Sequence, residues 1–120
     1  MTGRGSGDSR LPTSASFLIL LALADGPLHG LGIAEEVGRS TGGSLGLGPG
    51  TLYTTLRRML DGGLIEESPD RPEPDADDPR RRYYRITTLG RRRIVSEAES
   101  LHALLGAARA KGILPSGSGS

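Results

Sequence analysis

A mainly α-helical fold with one small β-hairpin is what this 120-residue sequence predicts, and three observations predict it. Apolar residues group into four stretches of helical character, while only Leu64–Glu67 and Tyr83–Thr87 read as strands. Pro49-Gly50-Thr51-Leu52-Tyr53 opens a short amphipathic helix with one polar face. Downstream, Arg80-Arg81-Arg82-Tyr83-Tyr84-Arg85-Ile86-Thr87 is an arginine-laden strand able to lie beside a phosphate backbone. A shaped helix followed by a charged strand points to a nucleic-acid binder of the winged helix-turn-helix class, with an added C-terminal helix.

Composition sets the bounds. At 12.6 kDa there is room for one core and no second domain. The net charge of +1 means that any affinity for DNA must come from local clustering. The charge is indeed segregated. Glu66 to Asp78 holds seven acids and one arginine, whereas Arg80 to Arg93 holds seven arginines and no acid. The absence of cysteine excludes disulfides, thiol nucleophiles and cysteine-ligated zinc. One Phe, three Tyr and no Trp leave little surface for stacking on bases or flat ligands.

Residues 1–12 are too polar to pack and read as a flexible N-terminal arm. Ser14 or Ser16 caps a first helix through about Ala24. Its run Phe17–Ala24, followed to Ala22-Leu23-Ala24, imitates a secretory signal. The run is nonetheless far short of the ~20 apolar residues that span a bilayer, and a buried helix is the preferred reading. A cytoplasmic protein with no membrane partner is the expectation that follows. A helix apolar nearly all round implies contact on two sides, one of them open to a partner subunit. Asp25-Gly26-Pro27 stops it. A second helix is expected from about His29 to Arg39, with Leu31, Ile33, Ala34 and Val37 inward and Glu35, Glu36 and Arg39 in water. Gly30 and Gly32 weaken it by roughly 1 kcal/mol each relative to alanine, so packing must supply its stability.

A glycine-rich connection, Ser40–Gly48, leads to Pro49, well suited to the first helical position. The third helix runs to about Asp61 and ends at Gly62-Gly63. Stepping about 100° per residue gathers Leu52, Leu56, Met59 and Leu60 on one side. Gly50, Thr51, Thr54, Arg57 and Arg58 fall on the other, with Tyr53 at the border. Such a division suits a recognition helix. Arg57 or Arg58 can pair with phosphate or with guanine, threonine methyls can meet thymine methyls, and the Tyr53 hydroxyl can hold a phosphate.

The two strands flank a wing loop, 68–81, punctuated by Pro69, Pro72, Pro74 and Pro79. Alternation along the second strand sets Arg81, Tyr83 and Arg85 on one face and Arg82, Tyr84 and Ile86 on the other. Tyr84 and Ile86 are therefore expected inward, and Arg81 and Arg85 are the phosphate candidates. The acidic tip (Asp70, Glu73, Asp75, Asp77, Asp78) would be repelled by DNA, and is expected to stay in solvent or fold over the arginines as a weak competitor. The winged unit thus spans 13–87. A last helix occupies 88–111, with Ile94, Ala98, Leu101, Leu105 and Ala108 at the spacing of a coiled-coil seam. With no core left to cover, this helix is expected to dimerise. Residues 112–120 form a flexible Gly/Ser tail.

Taken in order, these fragments resemble the PadR family of winged helix-turn-helix transcriptional regulators, over roughly residues 15–108. Leu18–Leu23 with Gly26-Pro27-Leu28-His29-Gly30 looks like the family's opening helix and turn. Pro49-Gly50-Thr51-Leu52-Tyr53, Leu56, Met59-Leu60 and Gly63-Leu64-Ile65 look like its recognition helix and first wing strand. Arg82–Thr87 with Leu89-Gly90 looks like the second strand and the start of the dimerisation helix. The short C-terminal extension resembles the small-subunit branch. Leu31 and Gly32 depart from the family's usual aromatic and acidic residues, Thr54 stands where proline is common, and the wing is longer and more acidic.

The resemblance implies a homodimeric repressor on a pseudo-palindromic double-stranded DNA operator, released by a small-molecule effector. Two recognition helices would enter successive major grooves about 34–36 Å apart. The effector would sit between the first and last helices, where Leu18, Leu21, Leu101, Leu105 and Ala108 are candidate wall residues. Two alternatives stay open: a protein-interaction module that has lost DNA, and a constitutive DNA binder without effector. No catalytic constellation is present. His29 and His102 lack carboxylates at metal or triad spacing, and Gly42, Gly43, Gly46 and Gly48 lack the Lys-Ser/Thr of a phosphate loop. An enzyme, a metal and a cofactor are not expected.

Overall fold

The computed structural model describes residues 14–43, 46–71 and 81–115. The N-terminal arm, the wing tip from Glu73 to Asp78 and the last tail residues lie outside the described residues. In chain order the elements are α1 (Ala15–Leu23), β1 (Leu28–His29), α2 (Gly30–Ser40), α3 (Pro49–Asp61), β2 (Ile65–Glu67), β3 (Tyr83–Ile86) and α4 (Thr88–Ala110).

Ser14 starts α1, its hydroxyl oxygen accepting the Phe17 N–H at 3.1 Å. Nine residues are too few for a stable isolated helix, and packing does the rest. Ile19 and Leu20 are wholly buried, and α1 touches α2, α3, α4 and β3. Its two-sided burial is thus largely met within one chain, leaving Leu21 as the surface residue of the run.

After Pro27 the chain runs extended for two residues and pairs with β3, which makes the sheet three-stranded in the order β1-β3-β2, all antiparallel. The sequence suggested only a hairpin, because two residues carry no period. His29 therefore ends a strand instead of opening the helix. Its ring caps α2, Nδ1 accepting the Gly32 N–H at 3.1 Å. Ile33 and Val37 are buried and Ala34 is half-buried, as expected. Leu31, expected inward, is exposed. It lies two residues, about 200°, from Ile33 around the helix and so faces away from the core.

Pro49 opens α3, and Leu52, Leu56 and Met59 are buried beneath it. Thr55 joins them, closing the space between Leu52 and Met59. At the far end Gly63 takes φ +77°, and the Leu64 and Gly63 amides donate to Met59 and Leu60 carbonyls at 2.9 and 3.1 Å. This left-handed cap turns the chain straight into β2.

Thr87 joins wing to α4: its hydroxyl donates to the Gly63 carbonyl at 2.6 Å and accepts the Gly90 N–H at 3.0 Å. Gly90 is packed so closely that a Cβ there would lie 2.2 Å from the Leu64 carbonyl oxygen. The first turn of α4 thus rests directly on the wing root. Arg91 donates to the Ala24 carbonyl at 3.0 Å, tying α4 to the end of α1. Ile94 is buried and Leu101 packs against the same core. Two of the five expected seam residues therefore cover the chain's own interior, contrary to the expectation that no core remained for them. Beyond it Leu104 and Leu105 stand exposed, as does Val95.

Candidate nucleic-acid interface

The outer side of α3 is built by what its inner side buries. With Leu52, Thr55, Leu56 and Met59 fixed in the core, helical geometry turns Thr51, Tyr53, Thr54, Arg57 and Arg58 outward, and all five are exposed. Among the described residues neither Arg57 nor Arg58 lies within ion-pairing distance of a carboxylate.

Tyr53 is less free than its exposure suggests. Its hydroxyl reaches over the start of α2, where a Cβ on Gly30 would lie 2.6 Å from the phenol oxygen. Gly30 is thus the gap into which the tyrosine leans. Tyr53 lines two clefts. One, of about 390 Å³, is lined by His29, Gly30, Leu31, Tyr53, Arg81, Arg82 and Tyr84. The other, of about 320 Å³, lies between α3 and the wing and is lined by Tyr53, Arg57, Asp61, Arg82 and Tyr84 among others. Both offer guanidinium and phenol donors to an anion. Burial raises the Tyr84 phenol pKa above the ordinary tyrosine value, against the lowering pull of nearby Arg82.

The wing departs from its expected pattern. Tyr84 and Ile86 do face the core. Tyr83, placed outward by alternation, is 3% exposed. The added strand β1 is the reason. It sets His29 opposite Tyr83, the two rings meeting edge to face at 5.2 Å, and the Arg71 guanidinium lies 5.0 Å over the tyrosine ring. Arg71 also donates to the Arg81 carbonyl at 2.8 Å, closing the root of the wing loop. A neutral His29 that accepts at Nδ1 carries its proton on Nε2. The Arg81 guanidinium, 3.3 Å from Nε2, therefore meets another donor, so this is a polar contact without a hydrogen bond.

Arg85, the other phosphate candidate of the wing, is engaged. Glu66 stands directly across the sheet from it, and its carboxylate accepts from Arg85 Nε at 2.7 Å. Arg82 reaches Glu67 at 3.4 Å. The acids that fold over the wing arginines among the described residues are thus these two strand glutamates. Of the tip acids, Asp70 alone is described; its amide donates to the Ser68 hydroxyl at 3.0 Å. Gly30, Glu66, Glu67 and Arg71 were not singled out from the sequence. Glu66 at least was legible there, since pairing Ile65 with Ile86 puts Glu66 opposite Arg85.

None of the clefts described among these residues is lined by the five effector-wall candidates. Leu18 is buried, Leu101 and Ala108 are half-buried, and Leu21 and Leu105 are exposed. Among the described residues no cluster of three or more His, Asp and Glu is arranged to hold a metal. No helix among them is long and apolar enough to cross a membrane.

A helix-turn-helix with a three-stranded wing, an outward polar helix face and an arginine-bearing strand defines a winged-helix protein. The model of the transcriptional regulator PadR-like family matches residues 19–96, and the chain belongs to that family, one of regulators and not of enzymes. An uncharacterized 37.1 kDa protein in a transposon of Streptomyces fradiae is 37% identical over 92 residues, 77% of this chain but only 24% of that protein. A transcriptional regulator of Mycobacterium tuberculosis is 34% identical over 87 residues, 72% of this chain and 74% of the relative. Among solved structures, a PadR family regulator of Clostridium difficile shares the fold at a TM-score of 0.66 and 24% identity, over 79% of this chain and 94% of that one. PadR of Bacillus subtilis, solved in complex with operator DNA, superposes at a TM-score of 0.58 and 19% identity, over 69% of this chain and 45% of that one.

Proposed function

We infer that this regulator binds double-stranded DNA as a homodimer and represses by occupying a pseudo-palindromic operator. The observation that carries the reading is the outward face of α3, where Thr51, Thr54, Arg57 and Arg58 stand exposed and the two arginines have no carboxylate partner among the described residues. Arginine without an internal partner is available to guanine edges and phosphates. Tyr53, held over Gly30, serves as a phosphate anchor at the edge of the groove. Arg81 lines the same cleft as Tyr53 from the wing, and Arg85 adds a further wing cation. The shared fold with a protein solved on operator DNA supports the same docking.

Exposed Leu104, Leu105 and Val95 on α4 supply the apolar surface for a second copy. An effector would lie between subunits, against Leu21, Leu101, Leu105 and Ala108, with buried Leu18 behind them. Arg58→Ala tests the reading. It is expected to weaken operator binding by about 1–3 kcal/mol without changing the circular dichroism spectrum. A loss below a few tenths would put this face off the DNA.

A further inference from the structure

The wing arginines and the strand opposite them form an electrostatic device that the family assignment does not include. Arg85 on β3 and Arg82 at its approach are exposed wing cations within reach of a phosphate backbone when the wing lies against a duplex, yet each is held by a carboxylate of β2. Arg85 Nε lies 2.7 Å from Glu66 Oε2 and Arg82 Nη1 lies 3.4 Å from Glu67 Oε2. These side chains are between 43% and 69% exposed, so both pairs are open to exchange with solvent ions. A carboxylate and a phosphate present the same kind of oxygen pair to a guanidinium.

We propose that Glu66 and Glu67 compete with DNA phosphate for Arg85 and Arg82, and thereby set the sequence-independent part of the protein's affinity for DNA. The proposal rests on the reading that the wing lies against the duplex. An arginine already neutralised by its own carboxylate displaces few counterions from DNA. One that changes partner leaves a bare carboxylate facing the phosphates. Both effects weaken the phosphate contacts and neither depends on base sequence, because phosphate contacts carry none. The device shortens residence on bulk DNA while leaving discrimination to α3.

The test compares wild type, Glu66→Gln, Glu67→Gln and the double variant on the chain's own upstream duplex and on a scrambled one. Glu99→Gln on α4 supplies the same change in charge elsewhere. Each wing substitution is expected to raise affinity about two- to fivefold, the range exposed ion pairs support, and by the same factor on both duplexes. The log–log salt slope should steepen by up to about 0.9 per arginine released. In an Arg85→Ala background Glu66→Gln should then give only the smaller gain that comes from removing a bare carboxylate. Unchanged affinity in the wing variants overturns the proposal, as does a full gain in the Arg85→Ala background, which would make Glu66 a bare repulsive charge. A gain confined to one duplex also overturns it. If wild type and variants alike fail to bind any duplex at low salt, it is the DNA reading itself that falls.

Discussion

Helix α3 and the wing each bring arginines to one shared cleft, where Arg57 and Arg82 both line the wall, but in different electrostatic states. On α3, Arg57 and Arg58 have no carboxylate partner among the described residues. On the wing, Arg82 and Arg85 are paired with Glu67 and Glu66. The first arrangement leaves charge free for whatever the helix meets. The second offers charge only when a competing anion displaces a carboxylate. The difference follows from secondary structure. A helix face that buries Leu52, Leu56 and Met59 turns its arginines outward, beyond ion-pairing distance of any described carboxylate. An antiparallel strand places each residue directly beside a neighbour's side chain, and for Arg85 that neighbour is Glu66.

The contrast extends through α3 itself, and its two faces should respond differently to truncation. Leu56→Ala removes a fully buried side chain and is expected to cost about 2–5 kcal/mol of folding stability. Arg57→Ala, one residue on, should change stability by less than about 0.5 kcal/mol. Urea unfolding of both variants decides it, and equal losses would mean that Arg57 is structural. A smaller effect is expected at Gly30. A methyl there would meet the far end of Tyr53, so Gly30→Ala should fold normally but displace the tyrosine. DNA affinity should fall by about 0.5–1.5 kcal/mol, the worth of one hydrogen bond, with the melting temperature held or raised. Unchanged affinity would remove Tyr53 from the interface.

The smallest effect concerns the wing alone. Burial holds the Tyr84 phenol above its usual pKa, so the unfolded chain ionises first as pH rises. Stability from this group is fully present below about pH 10 and is lost as pH climbs through the folded value. Tyr84→Phe should therefore flatten the alkaline fall in melting temperature relative to wild type. Parallel curves would show that Tyr84 contributes no linkage.

Much of this was legible in the sequence, and the parts that were not share a cause. The helices announced themselves through period and caps: Ser14 before α1, Pro49 and Gly63 around α3. The outward face of α3 followed from its buried stripe. Leu31 was misplaced because apolarity was read without fixing the phase of α2. Tyr83 was misplaced because a two-residue strand leaves no pattern, and only that strand brings His29 over its ring. The ion pair of Arg82 with Glu67 depends on a partner that strand register does not set opposite it, and the gap at Gly30 depends on where Tyr53 arrives from another helix. Long-range contacts are set by the assembled fold and leave little trace in local sequence.

The central claim is that α3 reads sequence while the wing supplies a muted, sequence-blind grip. It is tested most directly by measuring affinity for the chain's own upstream region and for a scrambled duplex of equal length across a salt series. The account predicts tighter binding to the upstream region at every salt concentration. Both duplexes should also weaken with salt at about 0.9 in log–log slope for each phosphate neutralised. Equal, weak and salt-insensitive binding to the two duplexes would contradict it.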